Sequence, residues 1–365
     1  MAGTAPVSRE VELPAGCREL VRDVDEELAR LLHRQRDRMV AVDPGVSVMI
    51  EELDRILGSG GKRLRPLFCL LGYRAGRGDP GPRIVRAAAA LELLHTFAIV
   101  HDDVMDRSKV RRGEAASWMA FGEAHRREGM RGDPGFYGVA AAVLVGDLAL
   151  ILADQALLES GFPPARLLPA LDRYNRMRGE MVAGQYLDVL AAHHGWVGER
   201  EARRVAVLKS GLYTVEGPLH IGALLAAAGQ DVLTLLSRYG VALGEAFQIR
   251  DDVLGVFGDP SATGKDRDSD LREGKRTVLL ARTLARVSPD EGRFIDDALG
   301  RPDLSAADVE RIRLLMEGSG ALASTLELIE KLTERAKSAL DPTVVPPTVA
   351  ETLRDMADAL ALRPA

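Results

Sequence analysis

The chain has 365 residues, 46% hydrophobic, 28% charged and 4% aromatic, with a formal net charge of -6. That length and apolar content allow a sizeable core, which excludes wholesale disorder. The scarcity of aromatics excludes a stacking platform for single-stranded nucleic acid, and the acidic balance excludes a general polyanion binder.

Met1 to Cys17 has no apolar core of the kind a signal peptide needs, and residues 1–16 are expected to be flexible. Cys17 and Cys69 make neither a disulfide framework nor a four-cysteine zinc site, so a reducing, cytoplasmic setting is expected. Ala, Leu, Arg and Glu dominate long stretches free of Pro and Gly, which predicts helix. Apolar residues recur at spacings of three and four, as in Val85, Ala88, Ala89, Leu91, Leu94 and Phe97. Ala87 to Val100 and Val139 to Ala153 are apolar on nearly all sides, so both are expected to lie buried among other helices. The second run is interrupted by Asp147 and reads as too short to span a bilayer. Breaks are expected at Gly76–Pro82, Arg131–Gly138, Gly161–Pro164, Gly258–Gly264 and Asp341–Pro347, with residues 126–138 an exposed loop. No break is long enough for an interdomain linker. The expectation is a single all-α domain over residues 1–365, a bundle of helices around a buried layer.

Charges inside such a layer need a reason. Asp102-Asp103-Val104-Met105-Asp106 follows the buried helix expected to end at Val100-His101. On a helix, Asp102 and Asp106 share a face, and carboxylates crowded this way call for a cation. Oxygen-only ligands favour Mg²⁺, which completes its shell with water and substrate phosphate. A single such run reads equally well as a solvated helix end. A second cluster, Phe247-Gln248-Ile249-Arg250-Asp251-Asp252, again follows an apolar helix (Ala242 to Phe247), and the pair suggests one polar mouth over an apolar interior. Asp259 and Asp270 read either as further ligands or as loop caps.

Cations accompany both clusters. Arg111-Arg112-Gly113 lies just past Asp106, Gly60-Gly61-Lys62-Arg63-Leu64-Arg65-Pro66 precedes the first cluster, and Gly264-Lys265 and Gly274-Lys275 follow the second. None is a nucleotide-binding P-loop. The required first glycine is Ile56, Asp259 or Ser269, and the residue after the lysine is Arg63, Asp266 or Arg276. Carboxylates for a metal beside clustered cations point to a diphosphate ligand.

These motifs, in this order, resemble the trans-prenyl diphosphate synthases of the polyprenyl synthetase family. The set comprises residues 60–66, His95, Asp102-Asp103-x-x-Asp106, Arg111-Arg112-Gly113 and Gly146-Asp147. It continues with Gly184-Gln185-x-x-Asp188, Lys209-Ser210, Phe247-Gln248-x-x-Asp251-Asp252, Gly264-Lys265 and Asp270-Leu-x-x-Gly274-Lys275. The resemblance implies an all-helical isoprenoid synthase-type bundle around a deep apolar cavity, and a homodimer. It implies condensation of isopentenyl diphosphate with an allylic diphosphate, with neither a nucleic-acid partner nor a membrane span. It assigns Asp102, Asp106 and Asp251 as principal Mg²⁺ ligands, supported by Asp103 and Asp252, with three ions holding the allylic diphosphate. Arg111, Lys209 and Lys265 fall to that diphosphate's side, Lys62, Arg65, His95 and Arg112 to isopentenyl diphosphate, and Lys275 is a further substrate-binding residue. Gln248 and the backbone around Lys209-Ser210 face the allylic cation. The chain departs from the family at Gly255, where a third acid is common in the second cluster, which admits a weakened or regulatory subunit as an alternative.

A helix rises about 1.5 Å per residue, which sets Ala98 and Phe97 about 6 and 7.5 Å below Asp102. Phe97 either plugs the floor of the cavity or only packs in the core. In the family, an aromatic at the fifth position alone resembles geranylgeranyl (C20) synthases, whereas farnesyl (C15) synthases more often carry aromatics at both. C20 is therefore expected, with C15 as the alternative. A terpene cyclase would have no use for Lys62, Arg65, His95 and Arg112.

Overall fold

A computed structural model describes residues 13–14, 16–194, 198–258, 268–301 and 303–361. Residues 1–12 of the expected flexible N-terminus, together with Asp259 and Lys265, lie outside the described residues. Among the described residues, one two-stranded hairpin interrupts an otherwise helical chain. In it β1 (Val110–Arg111) runs antiparallel to β2 (Glu114–Ala115), with Val110 opposite Ala115 and Arg111 opposite Glu114. The residues fall into two compact units: Ala15–Tyr174 with Pro218–Leu233, and Asn175–Gly217 with Thr234–Ala365.

The first unit is built around α4 (Pro82–Met105), in which every residue from Ala87 to Leu94 is buried. Four consecutive alanines, Ala87 to Ala90, keep this helix thin. It packs against α1 (Cys17–Val42), α3 (Leu64–Ala75) and α6 (Pro134–Leu158). The expectation of an all-round buried helix holds for α4 from Ala87 to Leu94, whereas Phe97, Ala98 and Ile99 are half-buried, and it fails for part of α6. Ala142, Val145, Ala149, Leu152 and Ala153 are buried, whereas Leu144 is 56% and Ile151 61% exposed. With 25 residues α6 is longer than the apolar run read from the sequence, and length and composition alone would let α4 or α6 cross a bilayer. Their packing against each other marks them as core helices of the bundle.

The loop expected over 126–138 is shorter. Arg126 and Arg127 finish α5 (Ser117–Arg127), and α6 begins at Pro134. Asp133 caps that start, its carboxylate accepting from the N–H of Gly135 at 2.9 Å and of Phe136 at 3.3 Å. Pro134 at the first helical position loses nothing, because its missing N–H would have been unpaired there anyway. A Pro-Gly pair that reads as a turn is here a helix start.

The second unit contains α8 (Glu199–Ala206), a π-helix over Val207–Glu216 and most of α10 (Gln230–Phe257), followed by helices that run to Ala361. Tyr239 on α10 is fully buried and donates its hydroxyl to the Leu353 carbonyl at 2.7 Å, tying α10 to the last helix. Both cysteines are buried free thiols.

Candidate active site

The first acidic cluster belongs to α4 rather than following it. Asp102 and Asp103 lie in the last turn, and Asp106 is the cap residue, its N–H donating to the Asp102 carbonyl at 2.8 Å. Carboxylates at a helix C-terminus face the negative end of the dipole, which sharpens their need for cations. Arg111 meets part of that need. Its Nε donates to Asp103 Oδ1 at 2.9 Å, and its Nη2 lies 3.9 Å from Asp102 Oδ2. Asp103 is buried, whereas Asp102 and Asp106 are half-buried.

Arg111 and its neighbour are aimed by the hairpin. Arg112 (φ 54°) and Gly113 (φ 79°) form its two-residue turn, both in the left-handed region that strand twist favours. The Arg112 guanidinium donates to the Gly60 carbonyl and covers Gly61, where a Cβ would come within 2.9 Å of it. Gly61 is thus the space Arg112 fills. Burial first, and then the surrounding arginines, lower the Arg112 pKa.

Arg63, also left-handed (φ 48°), anchors the 60–66 segment from inside. It donates to Asp25 at 2.7 Å, Glu92 at 2.9 Å and the Leu57 carbonyl at 2.6 Å. Burial opposes its charge, but Glu92 and Asp25 outweigh it, and its pKa is raised. Lys62 and Arg65 on the same segment are half-buried. His95, about two turns of α4 before Asp102, is held well below the usual imidazole range by burial and by Arg65, Arg112, Arg111 and Arg63. Its ring is therefore neutral at pH 7, a hydrogen-bonding group within a cationic nest.

Between His95 and the acids on α4, the half-buried Phe97 ring stands edge-on to His101, with centroids 4.7 Å apart. His101 Nε2 lies 3.1 Å from the Val143 carbonyl and 3.7 Å from Asp147 on α6. Phe97 therefore shares the α6-facing side of α4 with His101. Ala98 beside it is half-buried.

In the second unit, Gln248, Asp251 and Asp252 also lie within a helix, since α10 runs on to Phe257. Gln248 Nε2 donates to Asp252 Oδ1 at 2.8 Å, and its Oε1 accepts from the Ser210 hydroxyl. Ser210 and Lys209 sit on the π-helix, whose wider turn is a frequent mark of functional sites. Lys209 Nζ pairs with Asp188 at 2.6 Å. Burial, then Asp270, Asp251 and Asp188, push the Asp252 carboxyl up to about 8, against the opposing hydrogen bond from Gln248.

Asp270 also explains Gly255. A Cβ built at position 255 would collide with the Asp270 carboxylate. Asp270, 5% exposed, is held by Lys275 Nζ at 3.2 Å and receives the Lys275 N–H on its carbonyl at 3.0 Å. Lys275 also pairs with Glu273 at 2.6 Å. The place of a third acid on α10 is thus taken by a carboxylate from the following segment.

The donor set fits Mg²⁺. It is all oxygen, Asp270, Asp251 and Asp188 crowd the Asp252 carboxylate, and Asp102 and Asp106 share a helix face. Among the described residues no three His, Cys, Asp or Glu groups already form a metal cage. Mg²⁺ does not require one, because it usually binds one or two carboxylates and takes its remaining ligands from water and phosphate.

The sequence left the supports of these groups unmarked. Asp25 and Glu92 lie 38 and 29 residues from the Arg63 they hold, separations that leave no local pattern. Asp188 stands in the Gly184-Gln185-x-x-Asp188 motif, but its pairing with Lys209, 21 residues away, is equally unmarked. Only Glu52 and Arg55, three apart on α2 (Ser47–Gly58), carry a helical signal for their 2.6 Å pair.

Residues 46–316 match the family model described as polyprenyl synthetase. The geranylfarnesyl diphosphate synthase of Aeropyrum pernix is 33% identical over 289 residues, 78% of this chain and 84% of that protein. The geranylgeranyl diphosphate synthase of Sulfolobus acidocaldarius is 34% identical over 271 residues, 72% of this chain and 75% of its own. Among solved structures, a geranylgeranyl pyrophosphate synthase from Corynebacterium glutamicum, complexed with isoprenyl diphosphate and magnesium, superposes with a TM-score of 0.91. It is 35% identical, and the match covers 95% of this chain and 99% of that one.

Proposed function

We infer the chemistry from a plain premise: the chain belongs to the polyprenyl synthetase family and is a trans-prenyltransferase. It condenses isopentenyl diphosphate with allylic diphosphates, head to tail, and releases a short-chain all-trans product. The observation that carries this reading is the convergence of Arg111 on Asp103, Arg112 on the Gly60 carbonyl and Arg63 on Glu92, three helix residues before His95, in the unit that bears Asp102 and Asp106. One compact unit thus offers both a cationic nest for a diphosphate and carboxylates for the metal that accompanies it.

Asp102, Asp106 and Asp251 would hold Mg²⁺, with Asp103 and Asp252 in support, and three ions would serve one allylic diphosphate. Bound Mg²⁺ would neutralise charge developing on the departing diphosphate. The chain's own cations act in the same direction. Arg111 and Lys209 exchange Asp103 and Asp188 for phosphate oxygens as the allylic C–O bond ionises. Lys265 and Lys275 would add to this neutralisation. Gln248, oriented by Ser210 and Asp252, presents its carbonyl dipole to the allylic cation, as does the backbone around Lys209-Ser210. Lys62, Arg65, Arg112 and neutral His95 orient isopentenyl diphosphate, whose alkene attacks the cation and whose proton is then lost to the released diphosphate. Water must be excluded meanwhile, because it would trap the cation as an alcohol.

The product we propose is geranylgeranyl diphosphate, with Phe97 as the stop and Ala98 leaving room. Asp270, filling the space above Gly255, supports a full catalyst over a weakened subunit. The exposed apolar residues Leu144, Ile151 and Leu158 on α6 support a homodimer that covers this face, since monomers seldom leave such a stripe open. The test is product length from isopentenyl diphosphate, Mg²⁺ and C5, C10 or C15 starters. A C20 product is expected, with loss of turnover on chelation of Mg²⁺ and in Asp102→Ala at unchanged folding. Unchanged turnover in Asp102→Ala would refute the site, and a dominant C15 or C25 product would refute the chain length.

A further inference from the structure

We propose that Arg55 and Glu114 are positioning residues, a strut that holds the hairpin carrying Arg111 and Arg112 in place while those arginines engage diphosphate. The proposal deepens the reading above and rests on its assignment of Arg111 and Arg112.

The hairpin is poorly built to hold itself. Each strand has two residues, and an isolated two-stranded hairpin is marginal in water even when longer. One of its two left-handed turn residues, Arg112, is not glycine and carries a steric cost that glycine would avoid. Something outside the hairpin must therefore hold it.

Two sets of contacts do so. On one side the functional arginines anchor it, Arg111 to Asp103 and Arg112 to the Gly60 carbonyl. The other anchor is Arg55 on α2. Its Nε and Nη2 donate to the two carboxylate oxygens of buried Glu52 at 2.8 and 2.6 Å. Its Nη1 donates to Glu114 at 2.7 Å, and its Nη2 reaches the Ala115 carbonyl at 3.1 Å. The rigid fork of a guanidinium makes this bridge possible, and a lysine could not hold all three partners at once. Arg55, Asp103 and Arg111 also line one small cavity, so the strut and the substrate-side pair are neighbours.

The two anchors differ in what substrate does to them. A diphosphate competes with Asp103 and the Gly60 carbonyl for the same guanidinium protons, so binding loosens the first anchor. Glu52, Glu114 and the Ala115 carbonyl are protein groups that phosphate does not displace. The base of the hairpin also keeps its own bonds, Ala116 N–H to the Lys109 carbonyl at 2.9 Å and Trp118 Nε1 to the Ser108 carbonyl at 2.7 Å. Of the two anchors described, however, the strut is the one that persists on the second strand, beside Arg111 and Arg112, when they are used. Neither Arg55 nor Glu114 touches the reacting atoms in this account.

The obvious variant, Arg55→Met, strands the buried Glu52 carboxylate and risks unfolding the chain. Two others avoid this: Glu114→Ala, which leaves the Arg55–Glu52 pair intact, and the double variant Arg55→Met/Glu52→Gln. Steady-state kinetics with isopentenyl diphosphate, titration with inorganic pyrophosphate and thermal melts are measured on the full chain, beside Arg111→Ala and Arg112→Ala as references. Expected is a rise of about 5- to 20-fold in KM and in the pyrophosphate Kd for the double variant, as suits lost preorganisation, with kcat changed less than about 2-fold. Glu114→Ala gives a smaller rise in the same direction, and Glu114→Gln, which keeps an acceptor, recovers most of it. If Arg112→Ala raises KM while both strut variants leave it unchanged, the strut is refuted and the site assignment stands. A lower melting temperature with unchanged KM and Kd also refutes it, since that is a purely structural role. If Arg112→Ala and Arg111→Ala both leave KM and Kd unchanged, the assignment of the arginines fails and the strut with it.

Discussion

Replacing Gly255 with aspartate restores the acid that related second clusters commonly carry, and the structure says this apparent repair is damaging. The new Cβ would lie inside the Asp270 carboxylate, so either Asp270 or the α10 backbone must move. Asp270 is 5% exposed, its backbone is pinned by the Lys275 N–H, and its carboxylate cannot swing away without losing the Lys275 ammonium. Forcing atoms into a packed site costs about 1–3 kcal/mol. The added carboxylate also enters a region where Asp251, Asp188 and Asp270 already push Asp252 up to about 8. Steric cost alone lowers the melting temperature by roughly 2–10 °C for a domain of this size class. The assay is thermal unfolding with and without Mg²⁺ and inorganic pyrophosphate, together with turnover. Gly255→Asp should melt lower and lose about tenfold or more in kcat, a barrier increase of about 1.4 kcal/mol. The double variant Gly255→Asp/Asp270→Gly, which moves the carboxylate onto α10 and clears its space, should recover much of the stability. A single variant as stable and active as the parent would refute the reasoning.

Ala98→Phe should shorten the main product by one isoprene unit, read by chromatography of the dephosphorylated alcohols. An unchanged product would remove Ala98 and Phe97 from the floor of the cavity. Leu144→Glu, at a position 56% exposed on α6, should convert a dimer to the 39.4 kDa monomer in sedimentation at micromolar concentration. The reason is that an unpaired carboxylate buried in an apolar interface costs several kcal/mol. A parent chain already monomeric would dispose of the dimer. In chelator, the advantage of Asp252→Asn over the parent in melting temperature should grow as pH rises from about 4 to about 8. Asp252 titrates near 8 in the fold and near 3.8 when unfolded, so the folded chain holds the extra proton across that window and loses the associated stability as it leaves. Mg²⁺ with pyrophosphate should remove the difference, and a gap that does not change with pH would contradict the crowding of carboxylates around this residue.

Local rules account for what the sequence alone determined. Helical periodicity, Ala-rich composition and punctuation by Gly and Pro fixed an all-helical chain with α4 as a core helix, because these signals act within a few residues. The acidic pairs and their arginines were legible for the same reason: Asp102 and Asp106 stand one helical turn apart, and Arg111-Arg112-Gly113 spells a turn. Helix limits were less legible. Pro134 reads as a loop until Asp133 caps it, and both acidic clusters lie inside helices because nothing local stops α4 before Met105 or α10 before Phe257.

Only the tertiary structure decided what the charged groups do. His95 is neutral because burial and four arginines from other segments surround it. Arg63 is an internal anchor because Asp25 and Glu92, distant in the chain, converge on it. Gly255, a missing acid by sequence, is the space that Asp270 fills. The exposed stripe on α6 belongs to a helix that composition alone would bury. A residue's type and its neighbours in sequence set what it can do, but its charge state and free volume depend on groups brought near by the fold, which no local spacing records.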